Sequence, residues 1–175
     1  MTPKLIIGLG NPGAEYENTY HNVGALAVEE LAGASSEGRG LNWKTHKKIF
    51  SYLSNLQSPI SNLIFIRSLV FMNESGLAAK EALKKFNAVP EDLIVIHDDS
   101  DLVLGEFKIS RGQSSAGHKG VQSVIDHLGT SEFERIRIGI REQRREKAGE
   151  FVLNQITPRD KAMLEKVFEE ITLRL

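Results

Sequence analysis

The sequence predicts an α/β fold, with a mixed and largely buried sheet lying between helices. Strand-like segments and amphipathic segments alternate along the chain. The run Leu93–Ile96 is apolar throughout, as strands covered on both faces are, and Lys4–Leu9 is nearly so. Several of these runs end in glycine or polar clusters, where a strand hands over to a loop. There are no repeats, low-complexity tracts or evident linkers, so residues 1–175 read as one domain.

Each element has its own local signal. Lys4–Leu9 ends in glycines and reads as a buried first strand. Asn22–Ala34 places Val23, Leu26, Ala27 and Leu31 at helical spacing, and the small, polar stretch Ala34–Gly40 reads as a loop. Ile49–Leu56 and Asn62–Leu69 are strands separated by a turn at Ser58-Pro59. Gly76–Phe86 is a helix with Leu77, Leu83 and Phe86 along one side, followed by Pro90 and the strand Leu93–Ile96. Phe107–Ser110 is a short strand, and Val121–Leu128 a helix that stops at Gly129. Ile136–Ile140 alternates with Arg135, Arg137 and Arg141, the period of a strand with one buried face. Thr157-Pro158-Arg159-Asp160 is a capped start, with proline at the first position, for a last helix running to the chain end.

Composition narrows the function classes. The 175 residues are 41% hydrophobic and 26% charged, ordinary globular usage with enough chain for a full core. The absence of cysteine excludes disulfides and thiolate zinc sites. The N-terminus, Met1-Thr2-Pro3-Lys4, has no apolar signal segment, and no run approaches the ~20 apolar residues of a membrane span. The expectation is a soluble, cytoplasmic protein. The net charge of −1 is unevenly spread: residues 1–107 hold 9 Lys/Arg against 13 Asp/Glu, whereas residues 108–147 hold 9 against 5. A basic segment in an acidic chain suggests a surface that faces a polyanion; the bland alternative is a solvated face.

Gly8-Leu9-Gly10-Asn11-Pro12-Gly13 matches the dinucleotide fingerprint letter for letter. That fingerprint works only where the glycine turn opens directly into a helix whose N-terminus takes the pyrophosphate. Here Pro12 interrupts the loop, Ala14–Tyr20 has no apolar stripe, and the next acidic residues, Glu29 and Glu30, lie within a helix. The loop instead puts the Asn11 amide at the C-terminal end of a strand, the usual edge of an α/β site.

His21, just before a helix, and Asp98, at the end of the Leu93–His97 strand, both fall at loops around strand ends. A lone histidine is ordinarily structural. Paired with a carboxylate that fixes its tautomer and supports its protonated form, it becomes a base. No cysteine and no G-x-S-x-G elbow offers a nucleophile, and Ser114 and Ser115 lack that context, so the base would act on water directly. The cluster Asp98-Asp99-Ser100-Asp101 lacks the glycine and terminal glutamate of a calcium loop, leaving Asp99 and Asp101 as turn or solvent-facing residues. On pattern alone Asn73, in Phe71-Met72-Asn73-Glu74-Ser75-Gly76, reads as a helix cap. His118 and Lys119, in a glycine-flanked loop before a helix, are placed to meet phosphate, unless the loop is merely permissive backbone.

Taken together, in this order and at these spacings, the segments G-L-G-N-P-G, H-N-x-G, F-M-N-x-S-G, H-D-x-x-D and the Gly117-His118 loop resemble the bacterial-type peptidyl-tRNA hydrolases from Lys4 to about Gln155. The resemblance implies a single α/β/α sandwich, monomeric, with no metal or other cofactor, acting on peptidyl-tRNA. It implies that His21 activates water, Asp98 sustains it, and Asn11 separates peptidyl from free aminoacyl ends. Tyr16, Phe71, Asn73 and the position of Lys119 would contact the substrate's 3′ end, while Lys108 and Arg137 would hold tRNA phosphate. The chain departs from the family pattern at Tyr20 (usually Arg), at Lys119 (usually Asn), at Arg141 (usually Gly) and in its earlier stop at Leu175. A catalytically silent RNA-binding protein on the same scaffold is the competing expectation. Intact Asn11, His21, Asn73 and Asp98 count against it, as does the lack of a transit-like N-terminus.

Overall fold

The computed structural model describes residues 2–33, 42–54, 62–141 and 151–175. Within them a seven-stranded mixed sheet has the order β2-β3-β4-β1-β5-β7-β6. The strands are β1 (Lys4–Gly8), β2 (Lys44–His46), β3 (Phe50–Ser54), β4 (Leu63–Ser68), β5 (Leu93–Val103), β6 (Phe107–Arg111) and β7 (Glu134–Arg141). The central β4-β1-β5-β7 are parallel, with antiparallel β3 and β2 at one edge and β6 at the other. Helices α2 (Ser75–Phe86) and α3 (Lys119–Leu128) share one apolar cluster with the sheet, which includes Leu5, Ile7, Leu93 and Val95. Helices α1 (Val23–Leu31) and α4 (Pro158–Thr172) share the other, with Ile6, Ile94, Ile96 and Ile136. Successive strand residues point to opposite faces, so the continuous apolar runs feed both layers. The expected α/β/α sandwich around a mixed sheet is the observed one.

Several differences from the sequence reading bear on the site. The fifth strand runs on to Val103, so Asp98 and Asp99 are part of the sheet rather than at its end or in a loop after it. β2 was not expected: Lys-Thr-His is polar, short and at the sheet edge, and carries no apolar alternation. Asn73 does not cap α2. Its N-cap position is Glu74, with no side-chain cap, and Asn73 sits in a short turn of tighter helix, Met72–Glu74. The last helix starts as expected, with Thr157 Oγ1 accepting the Asp160 N–H at 3.2 Å and proline next to the cap. The loop expected at 34–40 and the turn at Ser58-Pro59 lie outside the described residues.

Helix α1 is pressed against the sheet at two glycines. A methyl group at Gly8 would lie 2.2 Å from the Gly24 carbonyl oxygen, and one at Gly24 would lie 2.2 Å from the Ile96 carbonyl oxygen. Main chain meets main chain there, which only glycine permits. The contact sets how close the turn ahead of α1, Tyr20–Asn22, comes to the C-terminal ends of β1 and β5. No helix follows the Gly8–Gly13 loop directly, as the dinucleotide reading would require.

Candidate active site

The parallel strands all end at one side of the molecule, beside β1, the usual position of an α/β site. From β1 the chain first builds β2, β3 and β4 on one side and then crosses back to β5 on the other. A cavity of about 950 Å³ opens there. Asn11 enters it from the loop after β1, Asn73 from the turn after β4, Asp98 from β5, His118 and Lys119 from the start of α3, and Arg137 from β7. His21, from the turn before α1, completes the wall.

Asp98, only 3% exposed, serves two imidazoles. His21 Nδ1 lies 3.0 and 2.9 Å from its two carboxylate oxygens, and His118 Nε2 lies 2.8 Å from Oδ1. The backbone fixes one tautomer. His118 Nδ1 accepts the Val121 N–H at 3.2 Å, so its proton is on Nε2 and is donated to Asp98. His21 likewise donates its Nδ1 proton to the carboxylate, which leaves Nε2 with a bare lone pair. Burial alone would raise the Asp98 carboxyl, but His118 and then His21 outweigh it and hold Asp98 well below the usual carboxylate range. They do so through the hydrogen bonds they donate and the attraction between the carboxylate and either ring's protonated form. Two imidazole nitrogens and a carboxylate oxygen within 4.8 Å of one another is also a spacing metal sites use; here the shared hydrogen bonds account for it.

His118 is therefore placed differently from its expected role at a helix start. It is the N-cap of α3 and an Asp98 partner, with both ring nitrogens engaged inside the protein. Beneath it lies His97, 3% exposed, its ring centroid 4.7 Å away at 65°. His97 Nδ1 donates to the Asp98 backbone carbonyl at 2.7 Å, while its Nε2 has no partner among the described residues. Burial, and then the repulsion a protonated His118 would exert, push the His97 imidazole down to about 3, so it is neutral at any working pH.

Asn11 is fixed by three hydrogen bonds. Its Oδ1 accepts the Met72 N–H at 2.8 Å, its N–H donates to Asn22 Oδ1 at 2.8 Å, and its carbonyl accepts from Asn22 Nδ2 at 2.9 Å. With the oxygen occupied, the side-chain NH2 is what Asn11 offers the cavity. Asn22 was missed in the sequence because its partner lies eleven residues back, across a turn with no local signature.

Asp99 corrects the expectation of a solvent-facing residue. It accepts from Arg137 Nε at 2.6 Å, with only 9% of its side chain exposed, because β5 carries it past β7. Asp101 is exposed as expected, and its N–H is held by Asp99 Oδ1. Arg135, expected on a solvated face, is buried in the cavity wall and donates to the Ser114 carbonyl at 3.0 Å. Lys108 is exposed on β6, directly across from Arg137, and makes no ion pair among the described residues. It stands beside the cavity rather than in its wall, as do Tyr16 and Phe71, whose rings meet edge to face at 6.4 Å. Lys119 is exposed at the first position of α3.

A carboxylate-held histidine with a free Nε2, in a cavity at the strand ends of an α/β sandwich and beside an amide donor, is the equipment of a water-activating hydrolase. Comparison with known proteins agrees. The family model for peptidyl-tRNA hydrolase matches residues 5–175. A peptidyl-tRNA hydrolase of Thermodesulfovibrio yellowstonii is 42% identical over 168 residues, covering 95% of this chain and 87% of that protein. One of Aquifex aeolicus is 36% identical over 171 residues, covering 97% and 86%. The crystal structure of peptidyl-tRNA hydrolase from Acinetobacter baumannii superposes with a TM-score of 0.81 at 26% identity, over 98% of this chain and 86% of that one. The chain belongs to the peptidyl-tRNA hydrolase family.

Proposed function

We propose that this protein hydrolyses the ester joining a peptide, or an N-blocked amino acid, to the 3′ end of tRNA, and so recycles tRNA from peptidyl-tRNA released prematurely by ribosomes. The observation that carries this reading is the His21–Asp98 pair, which leaves His21 Nε2 unprotonated in the cavity wall. His21 Nε2 takes a proton from water as the water oxygen attacks the ester carbonyl carbon. Asp98 supports the imidazolium that forms and keeps the proton on Nδ1. When the tetrahedral intermediate collapses, the C–O bond to the tRNA ribose breaks. The imidazolium returns its proton to that ribose oxygen, leaving tRNA and a free carboxylate.

Asn11 supplies selectivity. Its NH2 group complements the carbonyl of a peptide bond and is repelled by the α-ammonium of a free aminoacyl end. Asn73 and Lys119 contact the substrate's 3′ end from the cavity wall, and the Tyr16–Phe71 pair offers a ring surface beside it for a terminal base. Lys108 and Arg137 meet tRNA phosphate on the β6–β7 ribbon. His118 acts from behind, as the second partner of Asp98. The protein works as one domain, as a cytoplasmic monomer, and uses no cofactor in this scheme; among the described residues no helix is long and apolar enough to cross a membrane.

Incubation with purified N-blocked aminoacyl-tRNA should release the blocked amino acid. His21→Ala should lower turnover ~10²–10⁴-fold while tRNA binding persists. Near-normal hydrolysis by that variant would remove His21 as the base. A wild type that binds tRNA and hydrolyses nothing would instead make this a silent RNA-binding member of the family.

A further inference from the structure

The residue next to His21 has no place in the cavity wall, yet it is tied across the molecule. Tyr20 is buried, and its hydroxyl donates to Asp160 Oδ2 at 2.5 Å, a contact spanning 140 residues. Asp160 is 1% exposed, in the first turn of α4, where Thr157 Oγ1 holds its backbone N–H. The edge of the Tyr20 ring meets Phe151, with centroids 5.9 Å apart at 72°.

The main chain repeats the attachment. His21 N–H donates to the Val152 carbonyl at 2.7 Å, Tyr20 N–H to the Asn154 carbonyl at 3.2 Å, and Ile156 N–H to the Asn18 carbonyl at 2.7 Å. The turn that carries the base is thus clasped to the segment leading into α4, while its imidazole is held to Asp98 on the other side. In so tight a turn, with about three residues per turn, adjacent side chains point about 120° apart. Tyr20 and His21 therefore rotate together, one into the core and the other into the cavity. Anchoring the Tyr20 hydroxyl at the far end of its ring fixes that rotation over the longest lever the turn has.

We propose that Tyr20 is a positioning residue for His21, and that through the Tyr20–Asp160 hydrogen bond the last helix sets where the base stands in the cavity. This rests on the reading of His21 as the base. The chain carries tyrosine here where its family resemblance leads one to expect arginine.

The test is steady-state hydrolysis of N-blocked aminoacyl-tRNA, with His21 ring protons followed by NMR. Tyr20→Phe should lower kcat about 10-fold with KM within about twofold, because small misplacements of a base are felt in the chemical step. The His21 ring resonances should shift. Asp160→Asn keeps an acceptor for the phenol and should stay within about threefold of wild type. Tyr20→Phe/Asp160→Leu removes the buried carboxyl along with its donor, so that no polar group is stranded; it should regain stability but not kcat, and it reports in place of Tyr20→Phe should that variant fail to fold. A kcat within twofold of wild type in folded Tyr20→Phe, or a double variant that recovers kcat together with Tm, would overturn the proposal, for then the pair serves stability alone. Should the wild type hydrolyse nothing, the assigned reaction is at fault. The His21 resonances need no substrate and still decide: if Tyr20→Phe leaves them unmoved, the positioning role is gone.

Discussion

Beside Asp98, His97 shows how one buried ring ties the site to the stability of the protein. In the unfolded chain its imidazole titrates at its ordinary 6.5, and in the fold at about 3. Between those values the unfolded state binds the extra proton, so this contribution to stability is complete above about pH 6.5 and is lost as pH falls. Asp98 acts in the same direction at lower pH. Its carboxyl is depressed in the fold, so its contribution is present above the ordinary carboxylate range and is lost as pH falls below that range toward the depressed folded value. Denaturant unfolding should show about 2 kcal/mol less stability at pH 5 than at pH 7 from His97 alone, and His97→Phe should flatten that slope. An equally steep slope in His97→Phe would assign the acid sensitivity elsewhere. Asn11 and His21 stood out in the sequence because each falls in a loop at a strand end or helix start. Asp98, expected at a strand end, lies inside β5, yet all three line one cavity. His97, Asn22 and Arg135 were not, because their roles come from burial and from partners across the sheet. A histidine beside Asp98 and an asparagine beside His21 were in plain view, but adjacency does not say which way a side chain points.

The elements were read well wherever their periodicity was strong, and poorly where the context is tertiary. β5 was expected to stop by His97, since acidic residues follow its apolar run. Pairing with β7 as far as Gly139 carries it onward, and that extension brings Asp99 to Arg137. Arg137 already has a carboxylate partner, whereas the exposed Lys108 directly opposite has none among the described residues. Lys108→Ala should reduce the salt slope of tRNA binding by about one unit, as expected for one lost phosphate contact; an unchanged slope would put the footprint elsewhere. Lys119 occupies the first position of α3, next to the positive end of the helix dipole, where a cation is disfavoured. An exposed lysine kept there suits an anionic ligand, and unlike the family's asparagine it cannot accept a hydrogen bond. Lys119→Glu should raise KM sharply and Lys119→Asn only mildly at low salt. Equal KM values for Lys119→Glu and wild type would show that its ammonium points to solvent.

At the scale of the whole molecule, the sandwich has one sheet, helices on both faces, and a site that gathers residues from almost its full length: Asn11 and His21 from the beginning, Asn73 and Asp98 from the middle, and His118 beyond them. The Tyr20–Asp160 contact extends that reach to the last helix. Synthesis runs from the other end. A nascent chain that has already exposed every group of the His21–Asp98–Asn11 constellation still lacks the helix that anchors the base, and β1 waits for both β4 and β5 before it becomes the centre of a sheet. Competence should therefore arrive late in translation and in one step. Stalled chains cut off before α4 should be inert even with His21, Asp98 and Asn11 all present. Activity should rise abruptly once all of α4 has emerged, bringing both Asp160 and the core residues Leu164, Val167, Phe168 and Ile171. A protein that acts on peptidyl-tRNA while itself being made as one has, in that long-range contact, a natural delay before it can act on its own ester.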